Sequence, residues 1–147
     1  MTIHLIKLCV GCDSVDDLRQ WQQERLAKMR KKGELTHWTR MTPKRRDDLL
    51  GGGSLYWVIK GYVRVRHRIL DLKQGTKDGV PHCGIVYEPR QVQTQLMSHR
   101  PFQGWRYLEP DDAPPDVGTR GFKEAMAGWD KPLPPELLRE LKELGLL

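Results

Sequence analysis

The chain has 147 residues, with 25 Lys and Arg against 19 Asp and Glu for a net charge of +6. Its length suits one domain over residues 1–147, and with apolar residues at 38% and charged ones at 30% the core is modest and the surface highly charged. A membrane-spanning helix, which needs about 18 consecutive apolar residues, is excluded, and three cysteines do not make a disulfide framework.

Ile3 to Val10 alternates as a strand, and Gly11-Cys12-Asp13 turns the chain. Ser14 is placed to cap a helix, with Asp17 three residues on in place of the usual Glu of a capping box. Val15, Leu18, Leu26 and Met29 form its apolar stripe with Trp21 at the edge, and Gly33 is a natural stop. Leu35 to Met41 is a short strand, and Pro43 opens one or two helical turns through Leu50. The longest β signal runs from Leu55 to Leu72, interrupted at Gly61. Gly75 and Gly79 bracket a hairpin turn, and Ile85-Val86-Tyr87 begins the return strand. Gln91 to Met97 and Phe102 to Leu108 are further strands, and Asp111 to Asp116 is an irregular exposed run. A short helix near Phe122 to Met126 and a firmer one after Pro134-Pro135 complete the chain. The order predicts an α+β fold: a small curled, mixed or largely antiparallel sheet or barrel with helices packed outside.

The basic balance favours RNA or another polyanion as partner through the summed field of the surface. With period two, Tyr62, Arg64, Arg66 and Arg68 share one face of a strand, while Val63, Val65, His67 and Ile69 share the core face. Three arginines on one face repel unless anions or acidic neighbours such as Glu88 sit against them. Guanidinium matches phosphate, and Trp57 or Tyr62 would stack bases. Lys44, Arg45 and Arg46 add cations where a helix begins, a position that opposes the helix dipole and would suit a bound phosphate. The alternative to a binding module is a small enzyme on a phosphorylated or carboxylated metabolite, using these cations as anchors and His37 or His67 as proton carrier. A third possibility is an interaction protein whose charges only solubilise it.

Cys9-Val10-Gly11-Cys12 is a C-x-x-C between a strand and a helix. It reads as two small buried core cysteines, as a redox pair, or as half of a zinc site completed by His82-Cys83. The expectation is no metal and no cofactor, since there is no second such pair. Gly51-Gly52-Gly53-Ser54 lacks the Lys-Ser or Lys-Thr step of a phosphate loop and reads as a tight connection. No spacing of residues selects a catalytic dyad or triad. Met1 to Lys7 lacks the pattern of a signal peptide, so the cytoplasm is expected.

Four blocks, Ile3 to Gly11, Arg40 to Arg46, Ser54 to Gly61 and Phe102 to Leu108, together resemble a family of short alphaproteobacterial proteins catalogued as domain of unknown function 1489. That resemblance implies a bacterial cytoplasmic protein and carries no activity, cofactor or catalytic residue. More remotely, Trp57 to Arg68 is similar to the core of PUA-like barrels, including the ASCH group, which implies an RNA-associated module. Val63 and Arg66 stand where the usual ASCH pattern has a lysine and a glutamate, which argues against an ASCH-type enzymatic role.

Overall fold

Two dipeptides set the framework. Lys60-Gly61 has φ of 53° and 84°, and Asp78-Gly79 has 53° and 77°. Paired positive φ values are those of a two-residue hairpin turn whose twist matches the flanking strands. In the computed structural model, which describes residues 2–28 and 35–117, these turns join β3 (Ser54–Ile59) to β4 (Tyr62–Lys77), and β4 to β5 (Val80–Tyr87). Before them come β1 (His4–Leu8), α1 (Val15–Lys28), β2 (Leu35–Thr39) and α2 (Arg46–Leu50). After them come β6 (Val92–Ser98), β7 (Trp105–Leu108) and a single 3-10 turn, Pro110–Asp112. The helix stop at Gly33 and the two C-terminal helices expected from the sequence lie outside the described residues.

The seven strands of the described residues form one mixed sheet in the order β2-β5-β4-β3-β1-β7, with β6 paired to β4. β1 and β3 run parallel, and the other pairings are antiparallel. The α+β class and mixed sheet are as expected. Closure into a barrel is not, because the order ends in two short strands, β2 and β7, that do not pair with each other.

β3 lies between β4 and β1, and all six of its residues are buried. Leu55, Trp57 and Ile59 enter a large apolar cluster with Val15 and Leu18 of α1, while Tyr56 and Val58 enter a second with Ile6, Val63 and Leu108. A strand covered on both faces shows a continuous apolar run instead of alternation, as Leu55 to Ile59 does.

The main departure from the sequence reading is in β4. Trp57 pairs with Val65 and Val58 with Val63, so Arg64 is left out of the register as a bulge. One extra residue reverses which side the following side chains face. Val63 therefore joins the second cluster and Val65 the first. Val63, Val65 and Ile69 are buried as expected, but Val63 does not share the face of Val65 and Ile69. Arg64 was expected in solvent and is only 5% exposed. A second shift, between Ile69 and Asp71 against β5, brings Ile69 and Leu72 into the same cluster.

Ser14 caps α1 as expected: its Oγ accepts the Asp17 N–H at 3.1 Å, and the Asp17 carboxylate accepts the Asp13 N–H at 3.0 Å. The helix buries Val15, Leu18 and Gln22, spaced three and four apart. The Gln22 amide lies 3.2 Å from His67 Nε2 and donates to the Tyr87 hydroxyl at 3.3 Å. His67 Nδ1 is 2.8 Å from the Glu88 carbonyl oxygen, so it carries the proton and leaves Nε2 to accept from Gln22. Gln22 thus ties helix to sheet. Its polarity kept it out of the stripe read from the sequence.

Candidate functional site

The arginine face expected on β4 is largely occupied by the protein itself. Arg66 makes a two-pronged contact with Asp116, Nε to Oδ1 at 2.8 Å and Nη2 to Oδ2 at 2.7 Å, and its Nη1 donates to Ser54 Oγ at 2.9 Å. Its acidic partner is therefore Asp116 and not Glu88. Asp116 is brought there because the chain after the 3-10 turn docks on β6: Gln95 N–H donates to the Pro115 carbonyl, and Val117 N–H to Gln93. That docking also corrects the reading of Asp111 to Asp116 as an entirely exposed run, since Pro114 is buried. Arg68 is exposed, and Tyr62 is half-buried beside the hairpin turn. Trp57, expected as a base-stacking surface beside these arginines, is only 2% exposed and faces the large cluster instead. The bulge explains this, because it sets Trp57 opposite Val65, away from Arg66.

Lys44, Arg45 and Arg46 do not form a free phosphate cradle either. Helix α2 begins at Arg46, later than the Pro43 start expected. The Lys44 and Arg45 N–H groups both donate to the Tyr107 hydroxyl. Arg45 pairs with Asp48 at 3.0 Å, and Arg46 with Asp71 at 2.6 Å. Lys44 remains exposed.

A cavity of about 520 Å³ opens elsewhere, where the end of β1 and its turn face α1, β2, and the far end of β4. β1 and the turn contribute Lys7, Cys9 and Cys12, and α1 contributes Asp17, Trp21 and Arg25. Thr36, His37 and Trp38 come from β2, Trp57 from β3 and Lys77 from β4. Three tryptophans therefore wall it, and three cations face one carboxylate among its lining residues. The Arg25 guanidinium lies 4.2 Å from the Trp21 ring centroid, and the Lys73 ammonium 5.6 Å from that of Trp38.

His37 and Trp57 meet edge to face, with centroids 5.5 Å apart. His37 Nε2 and Trp57 Nε1 are both buried and have no hydrogen-bond partner among the described residues. Burial, with the charges of Lys7 and Arg25, pushes the His37 pKa down to about 4, so the ring is neutral near pH 7. Burial also lowers the pKa of Lys7. The same charges that disfavour imidazolium favour an anion in the cavity.

Cys9 and Cys12 are paired as a disulfide, with Cα atoms 5.6 Å apart, and are not two free core thiols. His67, proposed as a proton carrier, is fully buried and committed to Gln22 and Glu88, whereas His37 lines the cavity. Of the residues expected to bind, only Trp57 lines this cavity; Lys7, Arg25, Trp21, Trp38 and Lys77 line it without having been singled out in the sequence. The adjacent His37-Trp38 in a short strand was the nearest signal.

The family model described as "Protein of unknown function (DUF1489)" matches residues 5–147. No curated protein and no solved structure matches the chain.

Proposed function

We propose that this chain, which belongs to the DUF1489 family, is a binding module for single-stranded RNA that takes one base into the tryptophan-walled cavity and holds its phosphate with Lys7, Arg25 and Lys77. The observation that carries this reading is the pair of buried, unpartnered ring nitrogens at His37 and Trp57. A buried polar atom left unpaired costs about 1–3 kcal/mol; both nitrogens are closed to solvent in the ligand-free protein, so the base recovers that cost only by displacing the side chains that cover them. Trp57 Nε1 only donates, while the neutral His37 ring offers one donor and one acceptor. The edge of a nucleobase presents acceptors and donors side by side. Its π-face stacks on indole without regard to sequence, and its phosphate matches the surplus of cations. The volume also suits one such unit, since pockets for small ligands span about 300–1,000 Å³.

A second reading, an enzyme acting on a free phosphorylated metabolite, is favoured by the neutral His37 in the same cavity, since a histidine in that state can accept a proton. One experiment separates the two. Quenching of tryptophan fluorescence is followed on adding a short oligoribonucleotide, a nucleoside monophosphate, a nucleoside or inorganic phosphate, with chemical analysis of what is recovered. The RNA reading expects the oligomer and the monophosphate to bind unchanged, and the nucleoside or phosphate alone to bind about tenfold or more weakly, a loss of roughly 1.4 kcal/mol. Lys7→Ala and His37→Ala should weaken binding, and Arg68→Ala should leave it unaltered. Chemical conversion of the monophosphate would move the case to the enzyme. No binding, or binding lost only in Arg68→Ala, would refute both.

A further inference from the structure

The C-x-x-C motif is left unused by the nucleotide reading, and its geometry is unlike that of the third cysteine. Cys9 directly follows β1 and is 7% exposed in the large cluster, while Cys12 is half-buried. Gly11, at φ of 81°, makes the tight turn that brings the two sulfurs together. Both cysteines line the cavity, so a sulfur-bearing molecule can reach them, whereas Cys83 is free and fully buried on β5. Val10, between the two cysteines, is 82% exposed, an apolar contact point at the motif's tip. Two residues after Cys12, the 14-residue helix α1 begins at its Ser14 cap, and Lys7 and Arg25 line the same space. A helix start and nearby cations stabilise a thiolate, the reactive form of cysteine, with Asp13, Asp16 and Asp17 as opposing charges.

We infer that Cys9 and Cys12 are a redox-active pair that exchanges thiols and disulfides at the cavity wall, with Cys12 meeting the incoming sulfur and Cys9 resolving the mixed disulfide. In the reduced protein, Cys12 Sγ gives up its proton to solvent and attacks one sulfur of a substrate disulfide. The substrate S–S bond breaks, and one substrate sulfur leaves as a thiolate. Cys9 Sγ, likewise deprotonated, attacks Cys12 Sγ, closes the Cys9–Cys12 bond and expels the second substrate thiolate. Two electrons pass from the protein dithiol to the substrate disulfide, and the two protons released to solvent balance those taken up by the substrate thiolates. The reverse sequence oxidises a substrate dithiol. A pair in this position is open to exchange, while a structural disulfide resists reduction by the glutathione pool. The inference does not depend on the cavity's binding a nucleotide.

The test uses the full chain without nucleotide. The wild-type protein is equilibrated in buffers of varying reduced to oxidised glutathione, quenched in acid and read by mass spectrometry, with circular dichroism to confirm folding. Cys9 and Cys12 should convert together, becoming reduced in a thiol excess while the protein stays folded, with Cys83 unmodified. In Cys9→Ser, Cys12 should collect a glutathione mixed disulfide at least about tenfold faster than Cys83 does, as thiolate character and access dictate. In Cys12→Ser, Cys9 should react at least about tenfold more slowly than Cys12 does in Cys9→Ser. The wild-type measurement needs no variant to fold. A pair that stays oxidised in folded protein under excess reduced glutathione, or a Cys12 no faster than Cys83, would overturn the inference.

Discussion

His67 is 0% exposed, and burial holds its pKa down to about 4 despite the raising effect of its hydrogen bond to the Glu88 carbonyl. In the unfolded chain it titrates near 6.5. Between these values the unfolded state binds more protons than the folded one, so stability falls as the pH is lowered from 6.5 to about 4 and is complete above 6.5. Each pH unit in that window removes up to about 1.4 kcal/mol for one such histidine. His37 adds to the loss in the same window. Urea denaturation across this range should show a slope that becomes shallower in His67→Gln; an unchanged slope would mean that His67 is already protonated when folded. Arg66 makes a separate prediction. Removing its guanidinium leaves Asp116 without its two-pronged partner, and Arg66→Ala should cost about 1–3 kcal/mol of stability while leaving nucleotide affinity unaltered.

Between elements, the cross-strand packing of β2 on β4 and β5 holds the cavity's outer wall. Trp38 lies over two glycines: a Cβ on Gly75 would come within 2.7 Å of its ring, and one on Gly84 within 3.0 Å. Both positions are in strands, where glycine ordinarily weakens pairing and marks a close approach. Gly75→Ala should push the indole off its seat and weaken ligand binding about threefold to tenfold, roughly 0.7–1.4 kcal/mol, with the fold retained. A crystal or solution structure showing Trp38 unmoved in that variant would contradict the argument. At this scale the sequence was informative where local rules decide the outcome. The Ser14 cap and the strand break at Gly61 follow from residues adjacent in the chain. The bulge at Arg64 does not, because a period-two pattern looks the same whether or not one residue is extruded. Arg66 and Asp116, 50 residues apart, meet only because the segment after the 3-10 turn docks on β6. The cavity depends on β2 pairing with β5, a register that no short-range signal in Leu35 to Thr39 specifies.

For the molecule as a whole, the surplus of +6 is spread over a surface where many arginines already face carboxylates: Arg19 with Asp16, Arg45 with Asp48 and Glu109, Arg46 with Asp71, and Arg66 with Asp116. An extended cationic groove is therefore not what the charges build on β4, and in the proposed reading the phosphate is held by Lys7, Arg25 and Lys77 at the cavity. Few phosphates would be neutralised there. The slope of log affinity for RNA against log salt should be shallow, about 0.7 for each phosphate held and no more than about 2 in all. A steeper slope would point to a long backbone track on another face. The claim that the cavity is the binding site is tested most directly by the indole N–H resonances in a nitrogen-15 correlation spectrum, followed as a nucleoside monophosphate is added. The Trp57 Nε1–H signal should move downfield as its unpartnered proton gains an acceptor, together with shifts at His37 and Trp38, while Arg66 and Arg68 stay still. Shifts along Arg66 and Arg68 with Trp57 unmoved would place the ligand on the arginine strand and contradict the account.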